Sequence, residues 1–307
     1  MPLGGADPLS ITARTVAAPD PGRDGLDDRP GAAHVVVQAD SDGVSRLRDL
    51  YHHQPLRVLA PRERDGGCFN AAIVCLSGGL VSGDRIDQRV AVEAGARARV
   101  VGQAAEKAYR SDGRGVTLDT ALTIGEDAWL EWLPQDTILF NGTRLDRRTR
   151  VRRAATGRLM AGSLLVFGRE AHGERLDRGR LRDRVDLCDA EERLIWQDRL
   201  ILDAGSEGPL GRRFGFDGAR AAATLIYAGP DAETLLPAAR TLTARSATQS
   251  LGDAAPAVGC TLVRGALVTR WLGRNALALR SAFADYWAAL RHQASGLPAT
   301  LPRLWSV

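Results

Sequence analysis

The chain has 307 residues, 44% hydrophobic and 25% charged, with 41 basic against 37 acidic residues and a net charge of +4. This is the composition of an ordinary soluble protein of one large domain or two smaller ones; no apolar run is long enough to predict a membrane-spanning helix. No secretory signal is visible, so a cytoplasmic location is expected.

The positive charge does not predict nucleic-acid binding. Lys107 is the only lysine, and the arginines interleave with Asp and Glu, as over residues 175–184, without forming a basic stripe.

Residues 1–31 are rich in Gly, Pro, Asp and Ala and predict a disordered tail, with one folded domain over 32–307. The first strand is expected at 34–37. From there to about residue 203, apolar residues recur at period two in short segments between polar turns. Strand–turn–strand units recur over 90–101, 121–133, 151–166 and 185–202, with turns near 95, 125, 157 and 189. A period of this size predicts stacked units, each unable to bury its apolar face alone. Four stacked hairpins would build a layered, helix-like stack of short strands, a β-superhelix sharing one core. The alternative is chance coincidence of turns in a β-rich chain.

Residues 204–219 read as a glycine-rich loop. A helix is expected over 231–245, with Asp231 capping its start, then strands over 260–263 and 266–271. A second helix is expected over 275–291, with Leu279, Phe283, Tyr286, Trp287 and Leu290 in one stripe. The fold class is therefore mainly β, with a few helices toward the C-terminus.

Four segments carry more specific residues than packing requires. The first is Ser77-Gly78-Gly79-Leu80-Val81-Ser82-Gly83-Asp84. Gly78, Gly79 and Gly83 imply positive φ or tightly packed backbone. No P-loop lysine follows, and a strand follows where a dinucleotide fingerprint needs a helix. The second is the run 103–111, which contains Glu106, Lys107, Tyr109 and Arg110. The third runs from Glu131 through Trp132-Leu133-Pro134-Gln135-Asp136 to Phe140, and the fourth is Phe167-Gly168-Arg169 with Gly173-Glu174. Charges set against a β core must pair or be hydrated. Arg110 and Arg169 could therefore pair with Asp84, Glu131, Asp136 and Glu174 as structural ion pairs, or the same groups could line a wet passage through the stack. Cys68, Cys75, Cys188 and Cys260 form no Cys-x-x-Cys pair, and His52-His53 is the only histidine hint of a metal.

These four segments, with Pro55-Leu56-Arg57-Val58 before them and Pro302-Arg303-Leu304-Trp305 at the end, resemble the urease accessory protein UreD (UreH) family in content and order, from about residue 45 to the C-terminus. The resemblance implies a non-catalytic β-stack. It would bind apo-urease and join it to UreF and the GTPase UreG for nickel insertion, with Ni²⁺ passing through in transit and no cofactor held stably. Such a conduit suits carboxylate, carbonyl and water ligands better than imidazole or thiolate. Asp84, Glu131, Asp136 and Glu174 are the candidate conduit residues. Arg110 and Arg169, with Gly78, Gly79 and Gly83, are the candidate supports, and Trp287 and Trp305 are candidates for a partner interface. Two rivals stand beside this: a urease-binding scaffold without metal transit, and a glycan-cleaving enzyme using paired carboxylates.

Overall fold

The structure is a computed structural model that describes residues 29–61, 66–204, 208–249 and 255–305. The expected tail, up to residue 28, lies outside the described residues.

Strands β1 (Gly31–Ala39) and β2 (Ser45–His53) form an antiparallel hairpin, and β3 (Leu56–Leu59) pairs antiparallel with β4 (Phe69–Cys75). From β4 the chain winds as a coil. Strand β5 (Arg85–Val92) crosses to a facing sheet beside β1, and β6 (Arg97–Gly102) returns parallel to β4. The short β7 (Glu106–Ala108) precedes β8 (Val116–Ile124), parallel to β5, and β9 (Trp129–Leu133), parallel to β6. Strand β10 (Thr137–Leu139) leads to β11 (Arg144–Arg153), parallel to β8, and β12 (Arg158–Arg169), parallel to β9. Strand β13 (Glu174–Arg175) folds back on β12, and β14 (Gly179–Cys188) lies parallel to β11.

The rest is antiparallel. Strand β15 (Leu194–Ala204) pairs with β14, β16 (Ala221–Ala228) with β12, and β18 (Ala266–Gly273) with both β16 and β17 (Ala257–Val263). Helices α1 (Ala232–Gln249) and α2 (Ala276–Ser295) lie against β16–β18. The whole is a β-solenoid of about four turns. Its first sheet runs β15-β14-β11-β8-β5-β1-β2 and its second β17-β18-β16-β12-β9-β6-β4-β3.

The repeated turns are of two kinds. Those near 95, 125 and 157 are corners that carry the chain from the first sheet to the second; only the one near 189 is the tip of a hairpin. Alternating apolar residues look the same whether the next strand pairs with the last or faces it. The corners stack tightly. A Cβ on Gly125 would lie 2.7 Å from the Ala94 nitrogen, and one on Gly157 would lie 2.6 Å from the Gly125 oxygen. No side chain fits there.

Two apolar clusters follow from the layers. Between the sheets pack Val35, Val90, Leu122, Leu145, Leu130 and Leu159. Between the second sheet and the helices pack Tyr227, Trp271, Phe283, Tyr286, Trp287 and Trp305. The predicted stripe of α2 is this buried face, and Asn275 caps the helix by accepting from the Ala278 N–H at 2.9 Å. Gly162 lets α2 approach β12: a Cβ there would lie 2.8 Å from Phe283. Trp287 and Trp305, expected as interface residues, are 0% and 5% exposed and pack around Phe283, so burial removes them from the surface. Asp231 does not cap α1 through its side chain; its carboxylate accepts from the Tyr227 hydroxyl at 2.5 Å. Among the described residues no helix is long and apolar enough to cross a membrane.

Candidate functional site: stacked loops beside an inter-sheet cavity

The solenoid has two unlike edges. First-to-second-sheet corners take four residues, as at 93–96, 125–128 and 154–157. Second-to-first connections span 76–84, 103–115, 134–143 and 170–178. All four sequence motifs fall on or against these long connections, so the winding stacks them on one edge. A short parallel ladder ties them together: Leu80 bridges Ala108, β7 pairs with β10, and β10 with β12.

The glycine turn is built for this contact. Gly78, Gly79 and Gly83 have φ of +76°, +150° and +87°. A Cβ on Gly79 would meet the Lys107 oxygen at 2.6 Å and Tyr109 at 2.7 Å. Asp84 accepts the Val81 N–H at 2.8 Å and closes the turn. The Tyr109 hydroxyl donates to the Gly78 oxygen at 3.1 Å, and its ring stands edge-on to Phe140. Arg169 lies 4.2 Å above the Phe140 ring and donates to Glu174, Nη2 to Oε2 at 2.7 Å. Glu174 also accepts the Asn141 N–H at 3.1 Å. Arg169 holds the Glu174 carboxyl below the usual range, against a smaller opposing effect of burial.

Beside this ladder, between the sheets, lies a cavity of about 650 Å³. Its lining runs from Leu56 on β3 to Arg270 on β18, which at the usual strand spacing is about 30 Å along the solenoid axis. At about 30 Å³ per molecule it has room for roughly twenty waters. The lining is mixed. Gln88 accepts from the Thr120 hydroxyl at 3.1 Å. Arg147 donates to Asp183 through Nε at 2.9 Å, and to Thr137 and Ser163 from the second sheet at 3.2 and 2.7 Å. Glu106 is different: its Oε1 is buried without a hydrogen-bond partner. Burial, with Asp84 adding to it and Arg147 opposing, pushes its carboxyl up to about 7.

The comparisons with known proteins decide the family. The model of the UreD urease accessory protein family matches residues 29–306. The chain belongs to this family. It is 42% identical over 265 residues to the urease accessory protein UreD of Magnetococcus marinus, covering 86% of this chain and 90% of that one. It is 39% identical over 263 residues to the UreD of a Methylobacterium species (86% and 89% covered), and 32% identical over 281 residues to that of Nitrosospira multiformis (91% and 99%).

Within this UreD-family chain the predicted residues separate into three places. Asp84 lies at the loop edge, close enough to raise Glu106 electrostatically. Glu174 and Arg169 pair on the same edge. Glu131 lies on the other face of the second sheet. It is 0% exposed and accepts from Trp129 Nε1 at 2.9 Å, Arg291 Nε at 2.7 Å and Trp287 Nε1 at 3.4 Å. Asp136 also turns to α2, where it pairs with Arg280; burial pushes its carboxyl up while Arg280 pulls it down. The partners of Glu131 and Asp136 are thus arginines of α2, not motif arginines. Arg110 is exposed and is in no ion pair among the described residues; its stem lies near Gly142.

Arg147 and Asp183 were not singled out by the sequence reading, and Glu106 entered it only as a member of the run 103–111. The signal was present. Arg147 follows Leu145 and precedes Thr149 and Val151 at inward parity, and Asp183 stands between inward Leu181 and Val185. A charge at a core-facing strand position marks a polar interior. Among the described residues no three His, Cys, Asp or Glu side chains converge to hold a metal.

Proposed function

We propose that this UreD-family chain is a non-catalytic metallochaperone scaffold. It binds apo-urease, links it to UreF and UreG, and offers the inter-sheet cavity as a polar route for Ni²⁺ during GTP-dependent insertion. The observation that carries this reading is the cavity itself, since a solenoid of this size ordinarily fills its centre with apolar side chains. Association with urease and with other accessory proteins follows from the family role.

The donor set fits transit. Oxygen ligands in ones and twos hold Ni²⁺ loosely, and each 1.4 kcal/mol of tighter binding lengthens residence about tenfold. Arg147 is neutralised by Asp183, so the interior does not repel a cation outright. Asp84 supplies negative charge at the loop edge, where an ion would enter or leave, and Glu174 stands on the same edge in its pair with Arg169. Glu131 and Asp136 hold α2 against the second sheet.

The test is reconstitution of urease activation from apo-urease, UreF, UreG, GTP and Ni²⁺ with and without the chain. Activation is expected only with it, and Asp84→Ala or Glu174→Ala is expected to lower activation while the complex still assembles. Equal activation without the chain would overturn the reading.

A further inference from the structure

The helices α1 and α2 pack on the outward face of the second sheet over β12 and β16–β18, and among the described residues no helix packs comparably on the first sheet. Parallel sheets are ordinarily buried on both faces. Period two sorts the side chains of β11 and β14: Leu145, Val151, Leu181 and Leu187 point inward, and Arg148, Arg150, Arg152, Arg182 and Arg184 take the opposite parity. Arginines that interleave with Asp along the chain are thereby gathered on one face.

Register sharpens the pattern. Arg148 stands opposite Arg184, and Arg184 opposite Arg199 on β15. Three guanidinium-bearing residues thus occupy one row, roughly 5 Å apart from strand to strand. Like charges directly opposite destabilise a sheet. Asp186, 2% exposed, offsets part of this by accepting from Arg184 Nε at 2.7 Å and Gln197 at 2.6 Å, with Arg148 at 3.6 Å. Arg150 and Arg199 are in no ion pair among the described residues. On β15, Ile201 (60% exposed) is two residues from Arg199, and Leu194 (56% exposed) stands opposite Cys188 in the row of Arg152. Further along the row, Asp119 faces Arg148 and Asp87 faces Asp119.

We infer that the outward face of β11, β14 and β15 is a docking surface for a carboxylate-rich protein surface in the urease activation assembly. Arg150 and Arg199 are its main charge contacts, and Leu194 and Ile201 its apolar anchors. The inference rests on the family role in such an assembly, not on the nickel route. Arginine is enriched at interface centres, and Arg150 and Arg199 stand on this face without an ion pair among the described residues. The face of β11, β14 and β15 measures about 33 by 14 Å by strand geometry, roughly half of the 800 Å² of one side of a standard interface. Nucleic acid is the poorer fit: Asp146, Asp119 and Asp87 interrupt any continuous path for phosphates.

The test is phenylglyoxal footprinting by mass spectrometry, on the chain alone and in the assembly with apo-urease, UreF and UreG. Arg150 and Arg199 are expected to lose reactivity about tenfold in the assembly, the change that 1.4 kcal/mol of protection gives. The R150E/R152E/R199E variant is expected to assemble more weakly, with a gap that narrows in high salt. R150Q/R199Q serves the same purpose if the triple variant misfolds. Equal reactivity in a saturated, activation-competent assembly would overturn the docking face and leave the metallochaperone reading intact. So would a face protected by a DNA duplex but not by the assembly. Failure of the proteins to assemble at all would overturn both.

Discussion

Arg147 and Asp183 occupy the same register position on neighbouring strands and both face the interior, where packing would ordinarily place two apolar side chains. The pair bridges the two sheets at the cavity, because Arg147 also donates to Thr137 and Ser163 across the gap. Removing one partner leaves a buried charge uncompensated. Asp183→Ala is expected to lower stability by about 3–5 kcal/mol, whereas R147L/D183L is expected to be near neutral. Urea unfolding of both variants checks this, and a mild effect of Asp183→Ala would contradict it.

Glu131 joins β9 to α2 through Arg291 in a dry setting. Glu131→Gln is expected to cost about 3 kcal/mol or more for the same reason. It is expected to lower the yield of folded chain, with activation per folded molecule unchanged. Activation lost at full stability would instead place Glu131 on the route.

Glu106 makes stability depend on pH. In the native chain its carboxyl keeps a proton up to about 7, while the unfolded chain releases it near 4.5. The native state therefore binds more protons in that window, and stability falls as pH rises through it, by about 3 kcal/mol in all. Glu106→Gln is expected to match the wild type in stability near pH 4.5 and to exceed it increasingly up to pH 7 and above. Parallel melting curves across pH would reveal a constant gap if this account fails.

Gly79 cannot carry a side chain without displacing Lys107 or Tyr109. Gly79→Ala is expected to cost about 1–3 kcal/mol in backbone strain and to loosen the Leu80–Ala108 bridge. Hydrogen exchange at the Leu80 N–H, which donates to the Lys107 oxygen at 2.7 Å, reports it directly. Unchanged protection would contradict the close approach.

Much of this was legible in the sequence for physical reasons. The α2 stripe was readable because Leu279, Phe283, Tyr286 and Trp287 recur at helical spacing, and the stack because its apolar residues alternate. The glycine turn announced its positive φ. What could not be read was which face of the sheet each motif acid would meet. Glu131 and Asp84 both sit beside strand-like residues, but one faces α2 and the other the loop edge, and only the winding decides that. Hairpin and corner share one pattern, so the pairing partner was hidden. The gathering of arginines on one face does not show along the chain, where they alternate with acids, and appears only once strand parity sorts them.

The central claim is that the inter-sheet cavity is the route for Ni²⁺. Thr149 on β11 lines it, and Thr149→Trp would fill part of it with little change to the outer surface. The deciding measurement is nickel-dependent urease activation by the assembled T149W complex. Intact assembly is expected, with activation reduced about tenfold or more, a barrier increase of at least 1.4 kcal/mol. Full activation by a folded T149W complex would contradict it.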